Sequence, residues 1–143
     1  MAGIVIVGVD GSDTAFKAAS RAAKMAAGLQ AELAVLSAHA KDNTEIVNIG
    51  RETWVLDDAG QAQKMAERVA ARLREDHPGL AIRPVAARGK PQDALIEEAK
   101  RSEADLLVVG NVGMKGLGRV LGSVASSVAH NAPCDVLIVK TAQ

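Results

Sequence analysis

Aromatic side chains are nearly missing from this chain. Phe16 and Trp54 are the whole set, and there is no tyrosine. Proteins that bind single-stranded nucleic acid stack its bases on aromatic platforms, so that function is disfavoured. A planar ligand would instead be held by aliphatic side chains and backbone groups. An excess of charge is missing too. Lys plus Arg and Asp plus Glu each number 17, for a formal net charge of zero, without the basic footprint of a nucleic-acid binder. Cys134 is the single cysteine, which excludes an internal disulfide framework. No apolar run approaches the roughly 20 residues of a membrane-spanning helix. The first residues lead directly into a strand pattern, not into a charged segment followed by a cleavable apolar one. The expectation is a cytoplasmic protein with neither a membrane nor a nucleic-acid partner. Metal and nucleophile constellations are also absent: His39, His77 and His130 lie far apart without ligand spacing, and no Ser/His/Asp or Cys/His set assembles.

What is present describes one soluble domain. The chain has 143 residues, 48% hydrophobic and 24% charged, as in an ordinary globular protein. Its organising stretch runs from Asp105 to Lys140, DLLVVGNVGMKGLGRVLGSVASSVAHNAPCDVLIVK. An apolar run, Leu106–Val109, stops at Gly110. Gly113, Gly116, Gly118 and Gly122 follow, then Ser123 and a helical segment that Pro133 ends. A second apolar run, Val136–Val139, closes the stretch. The pattern is strand, loop, helix, strand. Glycines let the backbone approach a ligand closely, and amides at the start of the next helix would face an anion. A phosphate group suits that arrangement. Neither of the two commonest nucleotide loops is present. No Gly-Lys-Ser or Gly-Lys-Thr forms a P-loop, and the glycine spacing misses the dinucleotide fingerprint, which belongs after a first strand.

The remaining elements alternate. Gly3–Val9 is a continuous apolar strand of the kind buried on both faces of a parallel sheet. Ser12 or Asp13 caps a helix over Ala15–Ala27, with Gly28 as its stop. Glu32–Ala38 is the second strand. Residues 39–59 show no clear period and are expected to be a long surface connection. Asp58–Asp76 is a helix with an apolar stripe of Ala62, Met65, Ala66, Val69 and Leu73. His77-Pro78-Gly79 breaks it. Leu80–Ala87 is the third strand, and Pro84 places it at an edge, because proline cannot donate to a ladder. A helix over Gln92–Arg101, a strand over Asp105–Val109, a helix over Arg119–His130 and a strand over Asp135–Lys140 complete the chain. Strands alternating with helices specify an α/β doubly wound sheet with right-handed crossovers. Periodicity leaves the order of the five strands open.

The run GNVGMKGLGRVLGSV, followed by AHNAPCDVLIV, resembles the C-terminal signature of the universal stress protein family. The opening, IVIVGVDGSDTAFKAASRAA, is similar to that family's first strand and helix. The ATP-binding branch has glycine, two residues, glycine, nine residues, then Gly-Ser or Gly-Thr. Gly110, Gly113 and Gly122-Ser123 fit, but eight residues separate Gly113 from Gly122. The resemblance implies a Rossmann-like fold of the adenine nucleotide alpha hydrolase type, with one five-stranded parallel sheet in the order 3-2-1-4-5 and helices on both faces. Strands 1 and 4 are then neighbours at the point where ligands bind such sheets. It also implies an adenine nucleotide as ligand, ATP or cyclic AMP, with magnesium on its phosphates. The implied site comprises Gly8 and Val9 by the base, and Asp10 at the ribose or holding the metal through phosphates. Ala38 contacts adenine through its backbone, and Gly110, Gly113, Gly122, Ser123 and Val124 surround the phosphates. Arg119 neutralises phosphate charge, with a solvated helix position as its alternative. Homodimers through the last strand, residues 135–140, are implied as well. The expected role is a nucleotide-binding signalling module in a stress response. Slow ATP hydrolysis is the enzymatic alternative, and Asp10 is its only evident acidic group. A pure interaction module without nucleotide is the third.

Overall fold

The computed structural model describes residues 3–39, 44–49, 52–111 and 121–141. Five parallel strands form its main sheet: β1 (Ile4–Gly8), β2 (Glu32–His39), β5 (Ile82–Arg88), β6 (Leu106–Gly110) and β7 (Asp135–Val139). Their order is β5-β2-β1-β6-β7, which is 3-2-1-4-5 when only these strands are counted. Four helices connect them: α1 (Asp13–Leu29), α2 (Asp58–Asp76), α3 (Pro91–Ser102) and α4 (Ser123–Asn131). β5 is an edge strand, so Pro84 sits where its missing N–H does least harm.

Side-chain alternation along the strands sorts the core into two layers. Val5, Val7, Leu33, Val35 and Val108 face α1 and α2. Ile6, Ala34, Leu36, Leu107 and Val109 face α3 and α4. Both sets are buried. α1 meets the sheet through Ala18, Ala19, Ala22, Ala23 and Ala26, all fully buried. These small side chains let the helix lie close on the strands while losing no rotamer freedom. On the opposite face, a Cβ added to Gly8 would stand 3.2 Å from Leu95 Cδ1, so α3 packs close to the end of β1. Glu98 of α3 is 7% exposed. Its carboxylate takes two hydrogen bonds from Arg101, at 3.1 and 2.5 Å, and lies 3.6 Å from Arg83 on β5. A buried charge is thereby paired. Cys134, half-buried just before β7, packs against the second layer. Burial and the neighbouring Asp135 push its thiol pKa up.

Several expectations need correction. The 39–59 segment is not an irregular connection. It contains an antiparallel hairpin, β3 (Thr44–Ile49) and β4 (Glu52–Asp57), with Thr44 opposite Asp57 and Ile49 opposite Glu52. Two runs rich in β-branched residues separated by two residues, the first a glycine, carry that signal. Gly28 does not end α1. The helix runs to Leu29, and Gln30 closes it in the left-handed region at φ 54°, its N–H directed at the carbonyls of Ala26 and Ala27. Those bonds, with Ala31 N–H to Ala26 O at 2.8 Å, satisfy the terminal carbonyls and offset the strain at Gln30. The fourth helix begins at Ser123, not Arg119, because Gly122 is its N-cap.

Candidate functional site

β1 and β6 lie side by side, but the chain leaves them in opposite directions, into α1 and α4 on opposite faces of the sheet. A crevice opens beyond their carboxyl ends, as geometry demands at such a switch point. It holds a cavity of about 300 Å³. One wall is the end of β1, Gly8 to Asp10. Another is the end of β2, where Leu36, Ser37 and Ala38 line the space. Val9 is fixed there by its N–H, which donates to Leu36 O at 2.9 Å. Pro91 and Leu95 of α3 and Met65 of α2 close the apolar side.

The polar side is made by two helix starts, and they differ. α1 is capped by its own chain. Ser12 Oγ accepts from Ala15 N–H at 3.1 Å. Asp10 Oδ1 in turn accepts from Ser12 N–H at 2.9 Å and from Ser12 Oγ at 2.5 Å. Gly11 makes this turn at φ +86°, a conformation other residues adopt with strain, and a Cβ there would also meet Met65 Cε at 2.6 Å. Among the described residues, α4 has no side-chain cap. Its first intrahelical bond is Ser126 N–H to Gly122 O, at 2.9 Å. The amides of Ser123, Val124 and Ala125 come before that bond, and all three residues line the cavity. Uncapped amides at the positive end of a helix dipole are acceptor-seeking groups. The cavity is thus apolar across its floor and anion-seeking at one end.

Comparison with known proteins identifies the family. The model of the Universal stress protein family matches residues 1–140. The chain belongs to the universal stress protein family. It is 37% identical to universal stress protein Rv1636 of Mycobacterium tuberculosis, over 96% of this chain and 95% of that one. A solved universal stress protein in complex with cAMP is 35% identical and superposes with a TM-score of 0.74, covering 99% of this chain and 98% of the other. The universal stress protein of Archaeoglobus fulgidus in complex with dAMP is 25% identical, with a TM-score of 0.69 and 98% of each chain covered.

In this universal stress protein, the residues expected from sequence at Gly8, Val9, Asp10, Ala38, Gly110, Gly122, Ser123 and Val124 converge on the one cavity. Gly113 and Arg119 lie outside the described residues. His39 does not line the cavity, although it ends the same strand as Ala38. Asp10 is seen in a local structural role. It is the local turn acceptor for Ser12, and it stands exposed at the cavity. Ser37, Met65, Pro91 and Leu95 were not anticipated. Ser37 is signalled only by adjacency to Ala38 at a strand's carboxyl end. Met65 reads as one more member of an apolar stripe, and nothing in the pattern of α3 distinguishes Pro91 or Leu95. Among the described residues, no group of three or more His, Cys, Asp or Glu forms a metal cluster.

Proposed function

We propose that this protein binds an adenine nucleotide, ATP or cyclic AMP, and couples its occupancy to a stress-response partner. The observation that carries the reading is the first turn of α4, uncapped among the described residues, facing the same cavity as the apolar ends of β1 and β2. A base fits against Leu36, Ala38 and Leu95, and phosphate oxygens fit against the amides of Ser123 to Ala125. The cAMP and dAMP carried by the two solved relatives support the ligand class. Asp10 keeps one carboxylate oxygen beyond its bonds to Ser12. A single carboxylate plus phosphate oxygens suits magnesium, which retains most of its waters. Asp10 would hold such an ion through the phosphates, while Gly113 and Arg119 would extend the anion contacts.

Equilibrium dialysis with ATP, ADP, AMP and cyclic AMP, with and without magnesium, tests the proposal. Saturable binding in about the millimolar range or tighter is expected. No binding of any of the four at millimolar ligand would leave the interaction module as the function. Hydrolysis of ATP that Asp10→Ala abolishes would favour the slow ATPase, whose metal holder would be Asp10. Pairing of two copies along residues 135–140 belongs to the same proposal. Its support is that β7 ends the sheet and is apolar at Val136, Leu137 and Ile138.

A further inference from the structure

We infer that Asn111 is a positioning residue for the anion-facing end of α4, with Thr141, beyond the last strand, as part of the same frame; this rests on the reading of the cavity as a nucleotide site. Asn111 is the first residue after β6. Its N–H donates to Val139 O at 2.8 Å, at the end of β7. Its C=O accepts from Gly122 N–H at 2.8 Å, at the N-cap of α4. Its Oδ1 accepts from Thr141 N–H at 2.8 Å and from Thr141 Oγ1 at 3.2 Å. One residue therefore joins the end of β6, the end of β7, the segment after β7 and the start of α4.

The bond to Gly122 ties the end of β6 directly to the start of α4. It fixes the point from which the amides of Ser123, Val124 and Ala125 project. The Asn111 backbone could swing if only its peptide bonds held it. The side-chain pair prevents that by anchoring it to Thr141, which is 3% exposed. A buried N–H and O–H deprived of their acceptor carry a desolvation penalty, so the anchor resists opening. Asparagine suits the task because one side-chain oxygen accepts two hydrogen bonds while the backbone remains free for two others. The apolar side of the cavity, at Leu36, Ala38 and Leu95, takes no part in this frame. Loss of the anchor should weaken phosphate binding and spare the nucleoside.

Calorimetric titration of the full chain with adenosine, AMP and ATP tests this, using the wild type, Asn111→Ala, Thr141→Val and the double variant. Asn111→Ala removes Oδ1 but keeps both backbone bonds. It should lose about tenfold in affinity for AMP and ATP while adenosine stays within about twofold. Thr141→Val keeps the N–H donor and a similar volume, so it should lose about twofold to threefold for the phosphorylated ligands alone. The double variant should bind no worse than Asn111→Ala, because both changes act through the same oxygen. Should Asn111→Ala fail to fold, the phosphate-selective loss in Thr141→Val carries the test. Equal losses for adenosine and AMP, or additive losses in the double variant, would reduce Asn111 to a structural residue. Unchanged AMP affinity in both single variants would overturn the inference alone. A wild type that binds neither AMP nor ATP would overturn the pocket reading and this inference with it.

Discussion

At the scale of single residues, the site depends on backbone groups more than on side chains. Gly122 shows why. Its φ of −61° and ψ of 157° are open to any residue, so conformational freedom does not explain a glycine there. On the nucleotide reading, space for phosphate would explain it, because the residue lines the cavity where the first α4 amides begin. Gly122→Val should therefore leave the fold intact and remove nucleotide binding, as its methyl groups occupy the volume phosphate oxygens need. Circular dichroism and dialysis of the same sample would check both halves, and unchanged affinity would refute the phosphate placement. Residues of this kind were legible in the sequence because glycine and Gly-Ser spacing is a local signal. Asp10 stood out at the end of an apolar strand, but its assignment to the site came from the family resemblance. Ser37, Met65 and Leu95 were not legible. They reach the cavity through packing of three separate elements, and a buried serine, methionine or leucine carries the same letter wherever it faces.

At the scale of elements, the sequence defined existence well and boundaries less well. The strands could be read because each is a short apolar run bounded by turn residues. The hairpin β3–β4 went unread although its two-residue turn begins with glycine, because polar and apolar residues are mixed in both of its strands and obscure a period of two. α1 overran its expected stop because two backbone bonds at Gln30 outweigh the preference for glycine at a helix end. α1 starts two residues before the expected Ala15, but Ser12, one of the two caps expected, is its cap and supports a prediction. Ser12 accepts from Ala15 N–H and donates to Asp10. Ser12→Ala should lower stability by about 1 kcal/mol through the lost cap, and shift the thermal midpoint by about 3 °C for a chain of this size. It should also take one of the two hydrogen bonds from Asp10 Oδ1, leaving the backbone one, and so change the magnesium dependence of ATP binding. A thermal melt and paired dialysis would measure both. An unaltered midpoint would show that water or another group replaces the cap.

At the scale of the molecule, the two-layer core and the strand order place β7 at the edge of the sheet among the described residues, and geometry says which of its groups face outward. N–H and C=O of one strand residue point to the same side. Val139 accepts from Asn111 N–H, and Val139 stands opposite Gly110 in the parallel register, so Val139 faces β6. Leu137, two residues earlier, faces β6 as well. Val136 and Ile138 therefore present their amides to the free edge, where a second copy would pair. Ile138→Pro removes one outward donor without touching the β6–β7 ladder, whereas Leu137→Pro breaks that ladder. Sedimentation velocity should show Ile138→Pro as a folded monomer beside a dimeric wild type, and Leu137→Pro should be unfolded or poorly expressed. A dimer that survives Ile138→Pro would exclude this edge as the interface. If both proposals hold, the same geometry would link nucleotide binding to self-association. Asn111 grips Val139 on one side and Gly122 on the other, so tightening at the phosphate end would reach the edge through one residue. If the coupling exists, AMP must raise dimer affinity by the factor by which dimerisation raises AMP affinity. Sedimentation across a ligand series would measure that factor.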